Sequence, residues 1–179
     1  MKRKGDDMET LLKAAIRDVP DFPKPGILFK DITPILSDSK LFNKVIDSLA
    51  ERYAKKGIDA IVGIESRGFL FGAPLAYKMG KACVPVRKKG KLPYHTVQES
   101  YDLEYGSATI EMHTDAVRPG QRVIVVDDLL ATGGTAMATC NLVEKQGAHV
   151  IECAFVVELA FLNGRDRLKR DVYALVKYM

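Results

Sequence analysis

With 179 residues, 27 Lys and Arg against 23 Asp and Glu, and 47% hydrophobic residues, the chain has the length and composition of one globular domain with a substantial core. A net charge of +4 is too mild to argue for a nucleic-acid partner, no apolar run reaches the length of a membrane span, and nothing near the start resembles a signal peptide, so a cytoplasmic location is expected. Cys83, Cys140 and Cys153 are widely spaced without a C-x-x-C pair, and His95, His113 and His149 are equally scattered, which predicts reduced thiols and neither a zinc site nor a Cys-His nucleophile.

Residues 1–7, with Lys2-Arg3-Lys4, read as a solvated tail, and residues 8–19 carry apolar side chains at helical spacing up to Pro20. Three prolines, a glycine and two phenylalanines between Phe22 and Pro34 exclude regular structure from most of that stretch and predict a stiff loop. Residues 39–56 place Leu41, Val45, Leu49 and Tyr53 on one helical face, with Gly57 as the stop. Ala60–Ile64 is a buried strand, followed by the turn Glu65-Ser66-Arg67-Gly68-Phe69 and a helix to Met79. Cys83–Val86 is a short strand that runs into Arg87-Lys88-Lys89-Gly90-Lys91, which as a charge run alone is a solvated loop. Residues 92–106 show little apolar periodicity and predict a mobile flap, after which Ser107–Met112 alternates as a strand.

The most informative stretch follows. Val123–Val126 is apolar without alternation, as in a strand buried on both faces of a parallel sheet. It ends in Asp127-Asp128, two carboxylates that must meet water, cations or hydroxyls. Then come Ala131-Thr132-Gly133-Gly134-Thr135 and a helix over Ala136–Gln146. Strand, small-residue turn and helix start together make an anion site, with backbone N–H groups, two hydroxyls and two glycines that permit close approach. The nucleotide-triphosphate loop G-x-x-x-x-G-K-[ST] and the dinucleotide fingerprint G-x-G-x-x-G are both absent, and a receiver domain would carry its paired acids near its beginning. Residues 147–157 form a long strand, 158–168 a short helical piece with turns, and Val172–Val176 a last edge strand.

The string Val125-Val126-Asp127-Asp128-Leu129-Leu130-Ala131-Thr132-Gly133-Gly134-Thr135 resembles the phosphoribosyl-pyrophosphate motif of the type I phosphoribosyltransferases. The resemblance runs from about Phe22 to Tyr178 and implies an α/β fold in one domain over 1–179, a central parallel sheet flanked by helices, with a small hood over 20–36 and a flexible catalytic flap over 92–106. It assigns Asp127 and Asp128 to the ribose hydroxyls and Ala131, Thr132, Gly133, Gly134 and Thr135 to the 5′-phosphate. Glu65, Ser66, Arg67 and Gly68 become the pyrophosphate loop, with Arg87 and Lys91 as further pyrophosphate ligands, one of them reaching a partner subunit's site in a homodimer. Phe22–Pro34 resembles the hood of the adenine-using members, so that Phe29 stacks on the base, Leu28 and Lys30 contact it through their backbone, and Leu159 lines the opposite wall. Lys30 stands where that pattern has arginine. The Glu104-Tyr105-Gly106 string resembles the catalytic loop, which makes Glu104 the group that handles the adenine proton, Tyr105 a cover over ribose and pyrophosphate, and Glu99 a rival base.

The expected activity is transfer of the phosphoribosyl group from phosphoribosyl pyrophosphate to adenine, with Mg²⁺ held mainly through substrate and water and with no direct protein ligand. Small molecules are the expected partners, with neither nucleic acid nor membrane. A 6-oxo purine transferase is the first alternative and lacks the proline-rich hood. A regulator that senses phosphoribosyl pyrophosphate and binds nucleic acid is the second, and would need a recognition module for which the roughly twenty residues before the hood are too few.

Overall fold

The computed structural model describes residues 4–102 and 106–179. Helix α1 (Lys4–Ala15) leads into a two-stranded antiparallel sheet of β1 (Arg17–Pro20) and β2 (Leu28–Asp31). Helices α2 (Thr33–Ser37) and α3 (Ser39–Tyr53) follow, then β3 (Ala60–Ile64), α4 (Gly68–Met79), β4 (Ala82–Lys88), β5 (Thr96–Asp102), β6 (Ser107–His113), β7 (Arg122–Leu130), α5 (Gly134–Lys145), β8 (His149–Leu159), a 3₁₀ turn at Ala160–Leu162, α6 (Gly164–Leu168) and β9 (Val172–Tyr178).

The large sheet runs β5-β6-β4-β3-β7-β8-β9. Its five strands β4, β3, β7, β8 and β9 are parallel, and the antiparallel β5–β6 hairpin extends one edge. Alternation along the strands explains their continuous apolar runs. Ile61, Ile124 and Val126 join Leu12, Ile35, Leu49 and Phe71 in a core on the face of α1–α4. Ala60, Val62, Val123 and Val125 join Ala136, Cys140 and Val143 of α5 on the other face. Each buried Val, Leu, Ile or Phe among them contributes about 1.5–3 kcal/mol by leaving water. Asp38 starts α3 by accepting from the N–H groups of Lys40 (2.9 Å) and Leu41 (3.1 Å), and α4 stops at Gly80, whose φ of 62° is left-handed.

Three expectations need correction. The first helix begins at Lys4, inside the stretch read as a tail, and ends at Ala15, because Arg17–Pro20 pairs with Leu28–Asp31. The proline-rich stretch is irregular over 22–27, as expected, and its second half is β2 and the start of α2. Residues 96–102 are a strand paired along their whole length with β6, so only part of the predicted flap lacks regular structure. The basic run begins inside β4, where Arg87 and Lys88 pair with Glu111 and Ile110.

Buried Cys140 of α5 and Cys153 of β8 have their sulfurs 3.4 Å apart without a disulfide, whereas Cys83 is exposed. Among the described residues no helix is long and apolar enough to cross a membrane.

Candidate active site

The site is made by a split in the sheet. Strands β3 and β7 pair from Ala60↔Val123 to Gly63↔Val126 and no further. Beyond that point β3 stays with β4 through Ile64↔Val86, and β7 stays with β8 through Leu130↔Glu158. The two inner strands part at their carboxyl ends, where the chain order reverses and open α/β sheets bind ligands. Glu65-Ser66-Arg67 leaves one lip, and Asp127-Asp128 stands on the other. Between them lies a cavity of about 400 Å³ lined by Glu65, Ser66, Arg67, Lys88, Asp127, Asp128 and Leu129. Gly68 lets the lips approach: a Cβ there would stand 2.7 Å from the Val126 carbonyl oxygen and 3.0 Å from Asp127 Oδ1.

Two helices aim their starts at this region. Helices α4 and α5 each begin without a side-chain cap, at Gly68 and Gly134. Their first N–H groups and positive dipole ends suit two anions. Gly133, with φ of 80°, precedes α5, and a Cβ on it would meet the Gly164 carbonyl oxygen at 2.6 Å. A Cβ on Gly164 would in turn collide with the Ala131 carbonyl oxygen and the Leu130 side chain. The 131–134 turn is thus moulded against the backbone of Gly164, which is itself anchored by Arg165, paired to buried Glu158 at 2.6 Å.

Asp128 is 4% exposed, with Oδ2 2.7 Å from Arg67 Nε. The contact is an ion pair and not an aligned hydrogen bond, so among the described residues Oδ2 is a buried acceptor with no donor. Asp127 accepts the Asp128 N–H at 2.8 Å. Burial first, and then the neighbouring Asp128 carboxylate, push the Asp127 carboxyl well above the usual range. The Arg67 guanidinium also lies over the Phe29 ring, 5.6 Å from its centroid, and so bridges the small sheet and the paired acids. Phe29 meets Phe22 edge-on at 5.1 Å.

The remaining residues named from sequence divide clearly. Leu28 is 51% exposed, and among the described residues the edge of β2 away from β1 has no strand partner. The Lys30 amine turns away from the cavity, 2.6 Å from Asp18 and 4.2 Å from the centre of the Tyr178 ring. Leu159 packs at the margin of the core and does not line the cavity. Glu65 accepts from the Lys88 N–H (2.8 Å) and Arg87 Nε (3.3 Å). Burial would raise its carboxyl, but those donors outweigh it and hold the group below its ordinary range. Arg87 also donates to the Lys91 carbonyl at 3.1 Å, while the Lys91 side chain is exposed. Glu99 accepts from Asn141 at 2.9 Å and pairs with Lys145 of α5, and the bond from Lys145 leads the causes that hold its carboxyl down. Those bonds engage both of its carboxylate oxygens. Glu104 and Tyr105 lie outside the described residues.

Sequence reasoning missed three residues. Lys88 lines the cavity, whereas Arg87, its neighbour on the strand, serves Glu65. Buried Glu111 accepts the N–H groups of Lys91 and Leu92, each at 2.9 Å, and so shapes the basic turn. Tyr101 accepts from the Thr135 hydroxyl at 2.9 Å. Only Lys88 had a local signal, its place in the basic run.

A family model described as the phosphoribosyl transferase domain matches residues 33–177. The adenine phosphoribosyltransferase of Syntrophotalea carbinolica is 56% identical over 168 residues, 93% of this chain and 98% of that protein. The one from Roseiflexus sp. (strain RS-1) is 56% identical over 172 residues, 96% and 100%. Among solved structures, the adenine phosphoribosyltransferase of Rhodothermus marinus aligns with a TM-score of 0.91 at 52% identity, covering 97% of this chain and 99% of that one. The Saccharomyces cerevisiae protein, complexed with D-2,5-dideoxy-2,5-imino-altritol 1,6-bisphosphate and adenine, gives 0.91 at 46% identity over 95% and 99%. The paired acids at the split in the sheet, the two uncapped helix starts and these likenesses agree, and the chain belongs to the phosphoribosyl transferase family, among its adenine phosphoribosyltransferases.

Proposed function

We propose that the chain transfers the 5-phosphoribosyl group of phosphoribosyl pyrophosphate to adenine, giving AMP and pyrophosphate, as a purine salvage enzyme. The observation that carries this reading is the split between β3 and β7, with adjacent carboxylates on one lip and an uncapped helix start beyond each. The sugar carbon loses its bond to a pyrophosphate oxygen and gains one to an adenine nitrogen, with inversion. Positive charge grows on the ribose while negative charge grows on the leaving oxygens, so stabilising charge is the main task.

Each part of the cleft then has a role. Asp127 and Asp128 accept hydrogen bonds from the ribose hydroxyls and balance the positive sugar; the donorless Asp128 Oδ2 is suited to a hydroxyl. The N–H groups of residues 131–135 hold the 5′-phosphate. Ser66, Gly68 and the start of α4 take the pyrophosphate, aided by Arg67, Arg87, Lys88 and Lys91. Glu65 braces the β4 end from which Arg87 and Lys88 project. Phe29 stacks on adenine, whose polar edge meets the backbone of Leu28 and Lys30, with Leu159 toward the far wall. Glu104 handles the base proton and Tyr105 covers the sugar, on the strength of the resemblance.

Mg²⁺ belongs to this reading as a counter-charge on pyrophosphate. Among the described residues no group of three or more His, Cys, Asp or Glu could hold a metal; Asp127 and Asp128 are the acids nearest the place where a substrate-borne ion would supply that charge. The enzyme acts in the cytoplasm as a homodimer. Exposed Leu70 (44%) and Tyr77 (91%), two turns apart on α4, favour a subunit contact, and cysteines without a disulfide favour a reducing compartment.

The test is pyrophosphate release from phosphoribosyl pyrophosphate and Mg²⁺ with adenine, hypoxanthine and guanine supplied separately. Release with adenine alone, abolished by a chelator, is expected. Release with hypoxanthine or guanine instead would overturn the base assignment. Release unaffected by chelation would overturn the metal's role. A second expectation concerns Gly164→Ala. By displacing the 131–134 turn it raises KM for phosphoribosyl pyrophosphate about tenfold or more, the loss of one or two hydrogen bonds to a charged group, while KM for adenine moves little. Equal changes in both KM values would show that the damage is not local.

A further inference from the structure

We infer that Tyr101, on the hairpin strand β5, is a ligand of the 5′-phosphate and so ties the hairpin directly to the sugar-phosphate site. The inference rests on the reading of residues 131–135 as the phosphate loop. Thr135 Oγ1 donates to Tyr101 Oη at 2.9 Å. With Thr135 as the donor, the Tyr101 hydroxyl keeps its own hydrogen for an outside acceptor.

That pair stands at the first turn of α5. The Tyr101 ring packs on Gly134, its Cδ2 3.2 Å from where a Cβ would be, and the Arg167 guanidinium carbon packs there too, at 3.6 Å. Gly134 therefore admits an aromatic ring and a cation beside N–H groups that no side chain caps. An anion at the start of α5 has that spare hydroxyl hydrogen beside the first turn of the helix.

Other contacts hold Tyr101 in this position. Alternation turns Val97, Glu99 and Tyr101 toward α5, where Asn141 and Lys145 grip Glu99 one turn after another. Arg167 donates to the Asp102 carbonyl at 3.4 Å. Strand β5 is laid along the phosphate-binding helix, with Tyr101 brought to its N-terminus. Phosphate bound there pulls on the strand as well as on the turn.

The experiment is calorimetric titration of ribose 5-phosphate, and separately of pyrophosphate with Mg²⁺, into wild-type protein, Tyr101→Phe and Glu99→Gln. Phenylalanine keeps the ring against Gly134 and removes only the hydroxyl. Ribose 5-phosphate affinity falls about tenfold to a hundredfold in Tyr101→Phe, the loss of one hydrogen bond to a charged group, with pyrophosphate affinity unchanged. Glu99→Gln, which weakens the strap but keeps the hydroxyl, leaves ribose 5-phosphate affinity within about twofold, in the range of an exposed ion pair. Unchanged ribose 5-phosphate binding in Tyr101→Phe would overturn the inference. So would an equal loss in Glu99→Gln, which would assign the effect to docking of the hairpin. Failure of the wild-type protein to bind ribose 5-phosphate would instead overturn the phosphate-loop reading, and this inference with it.

Discussion

Asp128→Asn is expected to lower kcat/KM for phosphoribosyl pyrophosphate by about 10²–10³-fold, the loss typical of a single preorganised group that stabilises charge at the reacting centre. The substitution keeps the shape and one acceptor oxygen, and removes the negative charge that faces Arg67 at 2.7 Å. Two effects then combine. The sugar loses a carboxylate that balances its developing positive charge, and the Arg67 guanidinium, also lying over Phe29, loses the group that orients it. Arg67→Gln should therefore cost a similar amount, and the double variant much less than the product of the two, because both substitutions break the same pair. Steady-state rates with either substrate varied, together with a thermal melt, check the outcome. Activity within about threefold of wild type would remove Asp128 from the site. Multiplicative losses in the double variant would remove the coupling to Arg67.

Away from the cleft, Glu152→Gln is expected to destabilise the fold by about 3 kcal/mol near neutral pH, which for a chain of this length lowers Tm by roughly 6–12 °C. Buried Glu152 accepts from Arg52 (2.7 and 2.6 Å), Tyr53 (2.6 Å) and Lys56 (3.3 Å), and Arg52 stacks on Tyr173 at 3.8 Å. Burial alone would raise its carboxyl, but Arg52 and Tyr53 outweigh it and bring the pKa from 4.5 down to about 2. The sign follows from that depression: the ionised group binds protons less readily in the folded chain than in the unfolded one. Its contribution is complete above 4.5 and is lost as pH falls toward about 2. Urea unfolding of wild type and variant should show a gap that is constant above about pH 6 and narrows steadily below about pH 5. A gap that stays constant down to pH 3 would show that the carboxylate charge is not what stabilises this corner.

The legible parts of the chain were those where local chemistry and tertiary environment agree. Buried parallel strands need apolar residues on both faces, and Ala60–Ile64 and Val123–Val126 supply them. The acids and the small-residue turn announced themselves because nothing in a core requires Asp-Asp followed by Gly-Gly between threonines. Strand β5 escaped notice for a physical reason. Its residues do alternate, but the side facing α5 includes Glu99, whose partners Asn141 and Lys145 are more than forty positions away. A polar side chain satisfied at long range looks the same in sequence as one facing water. Strand β1 has a single apolar residue, Val19, and extends only because β2 lies beside it. Glu111 and Gly164 act through backbone groups of distant segments, and no pattern of neighbours encodes that. The Arg67 contacts show the same limit, since one guanidinium serves Asp128 and Phe29 together, sixty-one positions one way and thirty-eight the other.

The β1–β2 ribbon closes upon itself and shares no ladder with the seven-stranded sheet, and the family-wide match begins at residue 33, just past its end. On the proposed assignment, most of the part that recognises the base is one contiguous segment between Arg17 and Asp31, while the part that exchanges pyrophosphate for the base at the sugar carbon is woven from strands throughout the chain. Arg67 is the seam between the two, because its guanidinium lies over Phe29 and against Asp128 together. A change in the reader therefore reaches the engine through a single side chain.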